Sequence, residues 1–271
     1  MFNPRRSMLF LVGATIFTFS NMSSIALAQV ESQPAVSAVQ HSAMFTQAQE
    51  LISKEEFKSA IKMLVVTQSN GEDTLEISQL LSEAYAGRIE QVGMLKKLKL
   101  AKKIKKSMEH SLKLSPGNLD AMSGLVQFHL QAPSVAGGDK DVARQLITEI
   151  TKQDLLQGHQ LLGNLESAED NYAAALQSFE ACLVLEPVDK NCLYQVGRIS
   201  QVGNIQLEKG KAAFVKFLET YPDDKMYTPH AHFRLGNLYK QLDDMTAAKT
   251  QYELAIKMSG HEGAKKALAK R

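Results

Sequence analysis

Tryptophan is absent from this 271-residue chain, proline occurs seven times and cysteine twice. So few prolines leave room for long helices, because each would remove a backbone donor and break a helix interior. Two cysteines allow at most one intrachain bridge, which excludes a small fold stapled by many disulfides. Aromatics are 7% of the residues, and runs that alternate apolar with polar residues are scarce, so a sheet-dominated core is not expected. Ala, Leu, Lys, Gln and Glu dominate instead. Their intrinsic preferences point to an all-α protein.

Catalytic patterns are missing too. There is no nucleophile elbow and no phosphate-cradling Gly-rich loop with its Lys-Ser/Thr pair. The stretch QAPSVAGGDKD, residues 131–141, holds two glycines but lacks that pair. It reads as a long turn whose Asp139 caps the following helix. His230 and His232, with Asp223 and Asp224 nearby, do not form a metal set, because residues two apart on a helix do not share a face. They read as polar residues at a helix entrance. Catalytic residues, metal ligands and cofactors are therefore expected to be none.

The first 28 residues have the features of a cleavable signal peptide: Arg5 and Arg6, an apolar stretch over Met8–Phe19, and the small-x-small site Ala26-Leu27-Ala28. The apolar run falls short of the ~20 residues of a spanning helix. Cleavage after Ala28 and a periplasmic or secreted location follow as expectations. A flexible linker is expected over 29–40. The formal charge of the whole chain is +2. The leader holds two arginines and no acid, so the mature protein is close to neutral, a poor balance for a general nucleic-acid binder.

Against that neutral background stands LKKLKLAKKIKKSM, Leu95 to Met108, with seven lysines and no acid. On a helical wheel Leu98, Leu100, Ala101, Ile104, Met108, Ser111 and Leu112 share one arc. Lys96, Lys99, Lys102, Lys103, Lys106, His110 and Lys113 fill the opposite one, with Lys105 on the flank. The lysines are interleaved with neither aromatics nor arginines, which disfavours base stacking and bidentate phosphate recognition. A solvated outer face and a patch for anionic partners, such as lipid headgroups, lipopolysaccharide or an acidic protein, both remain open.

Overlaying the chain on itself reveals a repeat. GHQLLGNLESAEDNYAAALQSFEACLVLEP ends at Pro187, and HAHFRLGNLYKQLDDMTAAKTQYELAIKMSG ends at Gly260. Both contain Leu-Gly-Asn, then Ala twelve residues after the Gly, an aromatic four later and a small residue three beyond. These are Leu162, Gly163, Ala175, Phe179 and Cys182, then Leu235, Gly236, Ala248, Tyr252 and Ala255. Between them Gly197 lies 34 residues after Gly163, and Gly210, Phe214 and Pro222 fit after a one-residue insertion. Upstream, Phe57 and Ala60, then Leu81, Ser82 and Tyr85, then Gly124 and Ala143 continue the pattern less regularly. The lysine stretch reads as an extended second helix of the second repeat, with about ten residues inserted ahead of it.

The pattern resembles the tetratricopeptide repeat, whose period is 34 residues. The resemblance implies an α-α superhelix of about six helix pairs over residues 41–260, with residues 261–271 as a capping helix or tail. Each pair has an apolar stripe that only its neighbour can cover. In the family's register the groove-facing positions are Gln160 and Asn164, Tyr194 and Arg198, then Phe233, Asn237 and Lys240. Some members clamp a carboxylate with Lys and Asn, but Gln160 stands where the first such Lys is expected. The resemblance implies a non-catalytic scaffold or assembly factor of the bacterial cell envelope that holds a protein or peptide partner in its groove. The alternative is a lipid- or lipopolysaccharide-associated module using the face from Lys96 to Lys113. Cys182 and Cys192 each lie five residues from Pro187, in the turn between adjacent helices. A disulfide and a buried free thiol are both compatible with that spacing.

Overall fold

The computed structural model describes residues 35–71 and 73–269, with side chains from residue 43 onward. The expected signal peptide and its cleavage site lie outside these residues. Thirteen α-helices follow one another, and no strand occurs among the described residues. The first six are α1 (Ala35–Ser53), α2 (Phe57–Ser69), α3 (Leu75–Ile89), α4 (Met94–Leu114), α5 (Leu119–Gln131) and α6 (Lys140–Gln153). Then come α7 (Leu155–Ala168), α8 (Tyr172–Leu185), α9 (Lys190–Gly203), α10 (Leu207–Thr220), α11 (Thr228–Gln241), α12 (Met245–Ser259) and α13 (Glu262–Ala269). None is long and apolar enough to cross a membrane.

The helices pair in sequence, α1 with α2 through α11 with α12, giving the six pairs of the expected solenoid. First helices also touch first helices, α1 with α3, α5 with α7, α7 with α9 and α9 with α11. Each second helix from α2 to α10 packs against the first helix of the next pair. First helices thus form one layer and second helices the other. Buried apolar residues fall into successive clusters along the chain instead of one central core. Such nearest-neighbour packing is how an array of this kind acquires its stability.

Turns within pairs share a device. Glu55, Asp170, Asn204, Gln206 and Asp243 adopt positive φ, and all lie between the two helices of a pair. At Asp170, Asn204 and Asp243 the short polar side chain tolerates this left-handed conformation better than most residues do, so a tight reversal needs no glycine there.

Small residues set how closely the helices of a pair approach. A Cβ on Gly163 would sit 2.7 Å from the Phe179 ring. On Gly197 it would sit 2.5 Å from Phe214, and on Gly236 2.6 Å from Tyr252. In three successive pairs the aromatic of the second helix therefore lies on a bare backbone in the first, as the repeat spacing predicts.

The early repeats depart from this. Gly124 faces the Met108 side chain of α4, the helix before it, not the second helix of its own pair. A long connection at 132–139, which includes a 3-10 turn over Ser134–Ala136, separates α5 from α6. No ten-residue insertion precedes α4: only four residues separate it from α3, and the extra length lies within α4, at 21 residues. Its lysines and leucines are strong helix formers, so added residues extend the helix instead of looping out. The linker expected over 29–40 is helical from Ala35 onward, because no Gly or Pro interrupts the stretch that follows. Asp139 accepts from the backbone N–H groups of Asp141 and Val142, capping α6 as expected. At the far end Ala264 of α13 is buried against the last pair while Lys265 and Lys266 face solvent.

Candidate functional site

The layer of first helices is tied together by polar side chains. On α9, the Arg198 guanidinium donates to Ser167 Oγ of α7 at 2.9 Å and to Gln195 Oε1. On α11, Arg234 donates to the Tyr194 hydroxyl at 3.2 Å and to Gln201 Oε1 at 2.9 Å, both on α9. Gln241 donates to the Gln201 carbonyl at 2.9 Å. A ladder of neutral acceptors thus runs across three consecutive repeats, with two arginines among its rungs.

The seven expected groove residues are placed as follows. Gln160 is half-buried and donates to Asp189, which caps the start of α9. Tyr194 packs edge-on against Phe214, Phe217 and Tyr227. Phe233 stacks on His261 and meets Tyr252, so the chain's own end covers it. Asn237 accepts from the Tyr252 hydroxyl at 2.8 Å. Asn164 and Arg198 are half-buried, and Lys240 is exposed. Gln160, Tyr194, Phe233 and Asn237 therefore serve the packing of the array directly. Arg198 bonds Ser167 and Gln195, which leaves Asn164 and Lys240 with most freedom to meet a ligand.

Burial and the neighbouring Arg234 guanidinium hold Arg198 below the usual arginine range. Its hydrogen-bond acceptors are uncharged. Two cations held close by neutral groups would gain from an anion placed between them and solvent. Arg234 was not among the expected groove residues, since it lies one residue past Phe233 and thus about 100° round the helix.

Lys96, Lys99, Lys102, Lys103, Lys106 and Lys113 are all exposed, whereas Ile104, Ser107 and Ser111 on the other side of α4 are buried. The six lysines lie where the wheel places them, whereas His110 of the same arc is half-buried. Lys103 lies over the Tyr85 ring at 5.2 Å, and His110 bonds Asp73 at 2.8 Å. Because α4 is a second helix, this face lies in the layer opposite the arginine ladder.

Cys182 and Cys192 are joined as a disulfide with Cα atoms 6.4 Å apart, both fully buried. Asp189 brings a carboxylate within 4.8 Å of both sulfurs, but sulfurs bonded to each other are not thiolate ligands. His230 and His232 do not converge: His230 Nδ1 meets His261 Nε2 at 2.9 Å, and His232 Nδ1 meets Gln251 at 2.7 Å.

Residues 229–261, spanning α11 and α12, match the family model of the tetratricopeptide repeat. The array has the fold of a tetratricopeptide-repeat solenoid. Among solved structures, the C-terminal part of a TPR repeat-containing protein from Cytophaga hutchinsonii is 18% identical, with a TM-score of 0.55. That match covers 79% of this chain and 78% of the other. PilW, described as a widely conserved type IV pilus biogenesis factor, is 13% identical with a TM-score of 0.61, covering 87% of this chain and all of its own. YrrB, described as a TPR protein with an unusual peptide-binding site, is 16% identical with a TM-score of 0.50, covering 75% of this chain and 96% of its own. At such identities the likeness is one of fold. A comparison with curated proteins finds no match.

Proposed function

We propose that this tetratricopeptide-repeat solenoid is a non-catalytic scaffold or assembly factor, exported to the cell envelope, that holds an extended protein or peptide segment along its first helices. The observation that carries this reading is the ladder across α7, α9 and α11, where Arg198 and Arg234 have only neutral hydrogen-bond acceptors. An extended segment offers carbonyls and carboxylates that these donors and Asn164 can meet. A peptide-binding site in YrrB and pilus biogenesis by PilW are properties described for those proteins, and they support a binding or assembly role on this fold. Export rests on the leader pattern of residues 1–28.

Photo-crosslinking from the Asn164 and Lys240 positions in the exporting cell tests the reading. A discrete crosslinked partner is expected, and Arg198→Ala should weaken its capture while the helical circular dichroism signal is kept. Crosslinks that form equally from outer-layer positions such as Lys249, or capture indifferent to Arg198→Ala, would refute the groove. Mass spectrometry of the mature chain should find Gln29 at its N-terminus.

A further inference from the structure

We propose that the outer face of α4 is a docking surface for a bilayer bearing anionic lipid headgroups, independent of whatever the first-helix layer binds. Lys96, Lys99, Lys102, Lys106 and Lys113 project into solvent from one helix, and among the described residues none of them has an ion-pair partner. Three acids near this face are already engaged. Glu90 pairs with Lys97 at 3.4 Å, Glu109 with Lys105 at 3.8 Å, and Asp73 with His110. What remains is a row of positive charge on a chain whose mature form is close to neutral. The attraction is therefore local to one helix and directs which side of the protein approaches a charged sheet.

A second feature distinguishes this row from a merely wet surface. Leu95, 80% exposed, falls within the lysine arc. An apolar side chain among lysines on a two-faced helix suits the boundary between headgroups and acyl chains, where the apolar group enters and the ammonium groups stay with the phosphates. From Leu95 to Lys113 the row is about 27 Å long at the rise of an α-helix, so it contacts many headgroups at once. Lysine suits such a partner: it is a flexible, hydrated point charge that makes no demand for fixed geometry. A nucleic acid would favour the arginines and aromatics that this face lacks. Docking through α4 would leave the arginine ladder, in the opposite layer, open to solvent.

The test is co-sedimentation of the exported protein with phosphatidylcholine vesicles, with and without added phosphatidylglycerol. The neutral vesicles also register any binding through the apolar stretch 8–19, which is indifferent to lipid charge. Binding is expected only where phosphatidylglycerol is present, and it should fall steeply with salt. Changing Lys99, Lys102 and Lys106 to Glu should lower partitioning by roughly a hundredfold or more. Leu95→Gln should lower it several-fold, and Arg198→Ala should leave it unchanged. If circular dichroism shows the triple Glu variant unfolded, the triple Gln variant must still lose roughly tenfold or more. Equal partitioning to both vesicle types, or retention by a folded lysine variant, overturns the proposal. So does binding to soluble heparin with none to phosphatidylglycerol vesicles, which would make the face a receptor for a soluble polyanion.

Discussion

Ser78 and Ser107 each donate a hydroxyl hydrogen bond to the other's backbone carbonyl, both at 2.8 Å. This reciprocal pair is where α3 and α4 cross, and it replaces the glycine-on-aromatic contact of the later repeats. Ser82 and Ser111 extend it, one turn on in each helix, by donating to the carbonyls of Ser78 and Ser107. All four serines are buried. Serine is small enough for the close approach, and its oxygen is satisfied by the backbone it approaches.

Ser107→Ala should therefore destabilise the array by about 1 kcal/mol, the net value of a buried hydrogen bond. Ser107→Leu should cost more, on the order of 1–3 kcal/mol, because the added volume must force the two backbones apart. Urea denaturation midpoints of the two variants check the order. A leucine variant as stable as the alanine one would mean that the crossing is looser than described.

The glycine positions provide a sharper contrast. Alanine is the better helix former by about 1 kcal/mol, yet a Cβ at 197 would lie 2.5 Å from the Phe214 ring. Gly197→Ala should lower stability by about 1–3 kcal/mol through overpacking, against its propensity. Adding Phe214→Leu should recover part of the loss, since the ring is what the methyl meets. Thermal melts of the single and double variants measure this coupling.

These two contacts show why parts of the chain were readable and others not. Gly163, Gly197 and Gly236 announce α7 to α12 because a glycine and an aromatic at fixed spacing are rare by chance and are jointly required by one packing contact. The serine crossing of α3 and α4 uses residues common anywhere, so the spacing identifies the second repeat but does not show that the extra length lies within its second helix. Gly124 fits the pattern in sequence but packs on Met108, because spacing does not reveal which neighbour a glycine faces. The lysine face was legible, since exposure on a helix follows from angle alone. The arginine ladder is not legible in the same way: the repeat register points to Arg198, but Arg234 reaches back across α9, and the partners of a long side chain depend on the stacking between repeats.

Stability should also depend on acid through the link between the third and fourth repeats. Arg144 of α6 donates to Glu166 and Glu169, both at 2.6 Å, and Asn171 donates to Glu166 at 3.0 Å. The Arg144 hydrogen bond, with help from Asn171, holds the buried Glu166 carboxyl below the usual carboxylate range. A depressed folded-state pKa means a stabilisation fully present above the unfolded value, about 4.3, and lost as pH falls through the lower folded value. Glu166→Gln should cost on the order of 1 kcal/mol near neutral pH, Arg144 being partly exposed. It should also flatten the acid limb of the stability curve below about pH 4.3. Urea midpoints of both proteins across the acid range test this, and parallel acid limbs would assign the pH dependence elsewhere.

The bridge between Cys182 and Cys192 makes the last prediction. Cys182 lies in the final turn of α8 and Cys192 in the first turn of α9, ten residues apart and both fully buried. The Asp189 side chain accepts the Cys192 backbone N–H at 2.7 Å and also the Gln160 amide, so the turn is held by hydrogen bonds as well. A cross-link over so short a loop restricts the unfolded chain modestly, by about 2–3 kcal/mol in the chain-entropy account. Replacing both cysteines by alanine should lower the stability of the oxidised protein by about that amount, with the helical content unchanged. Reductant should shift the melting temperature of the wild-type chain toward that of the double variant and leave the variant where it was. That second comparison separates the bond from the packing, because the buried alanines lose contacts whether or not the sulfurs were joined. A wild-type melt insensitive to reductant, with two free thiols titrated after unfolding, would show that the cysteines act here as small buried hydrophobes. It would also remove the support that a buried disulfide lends to the proposed export.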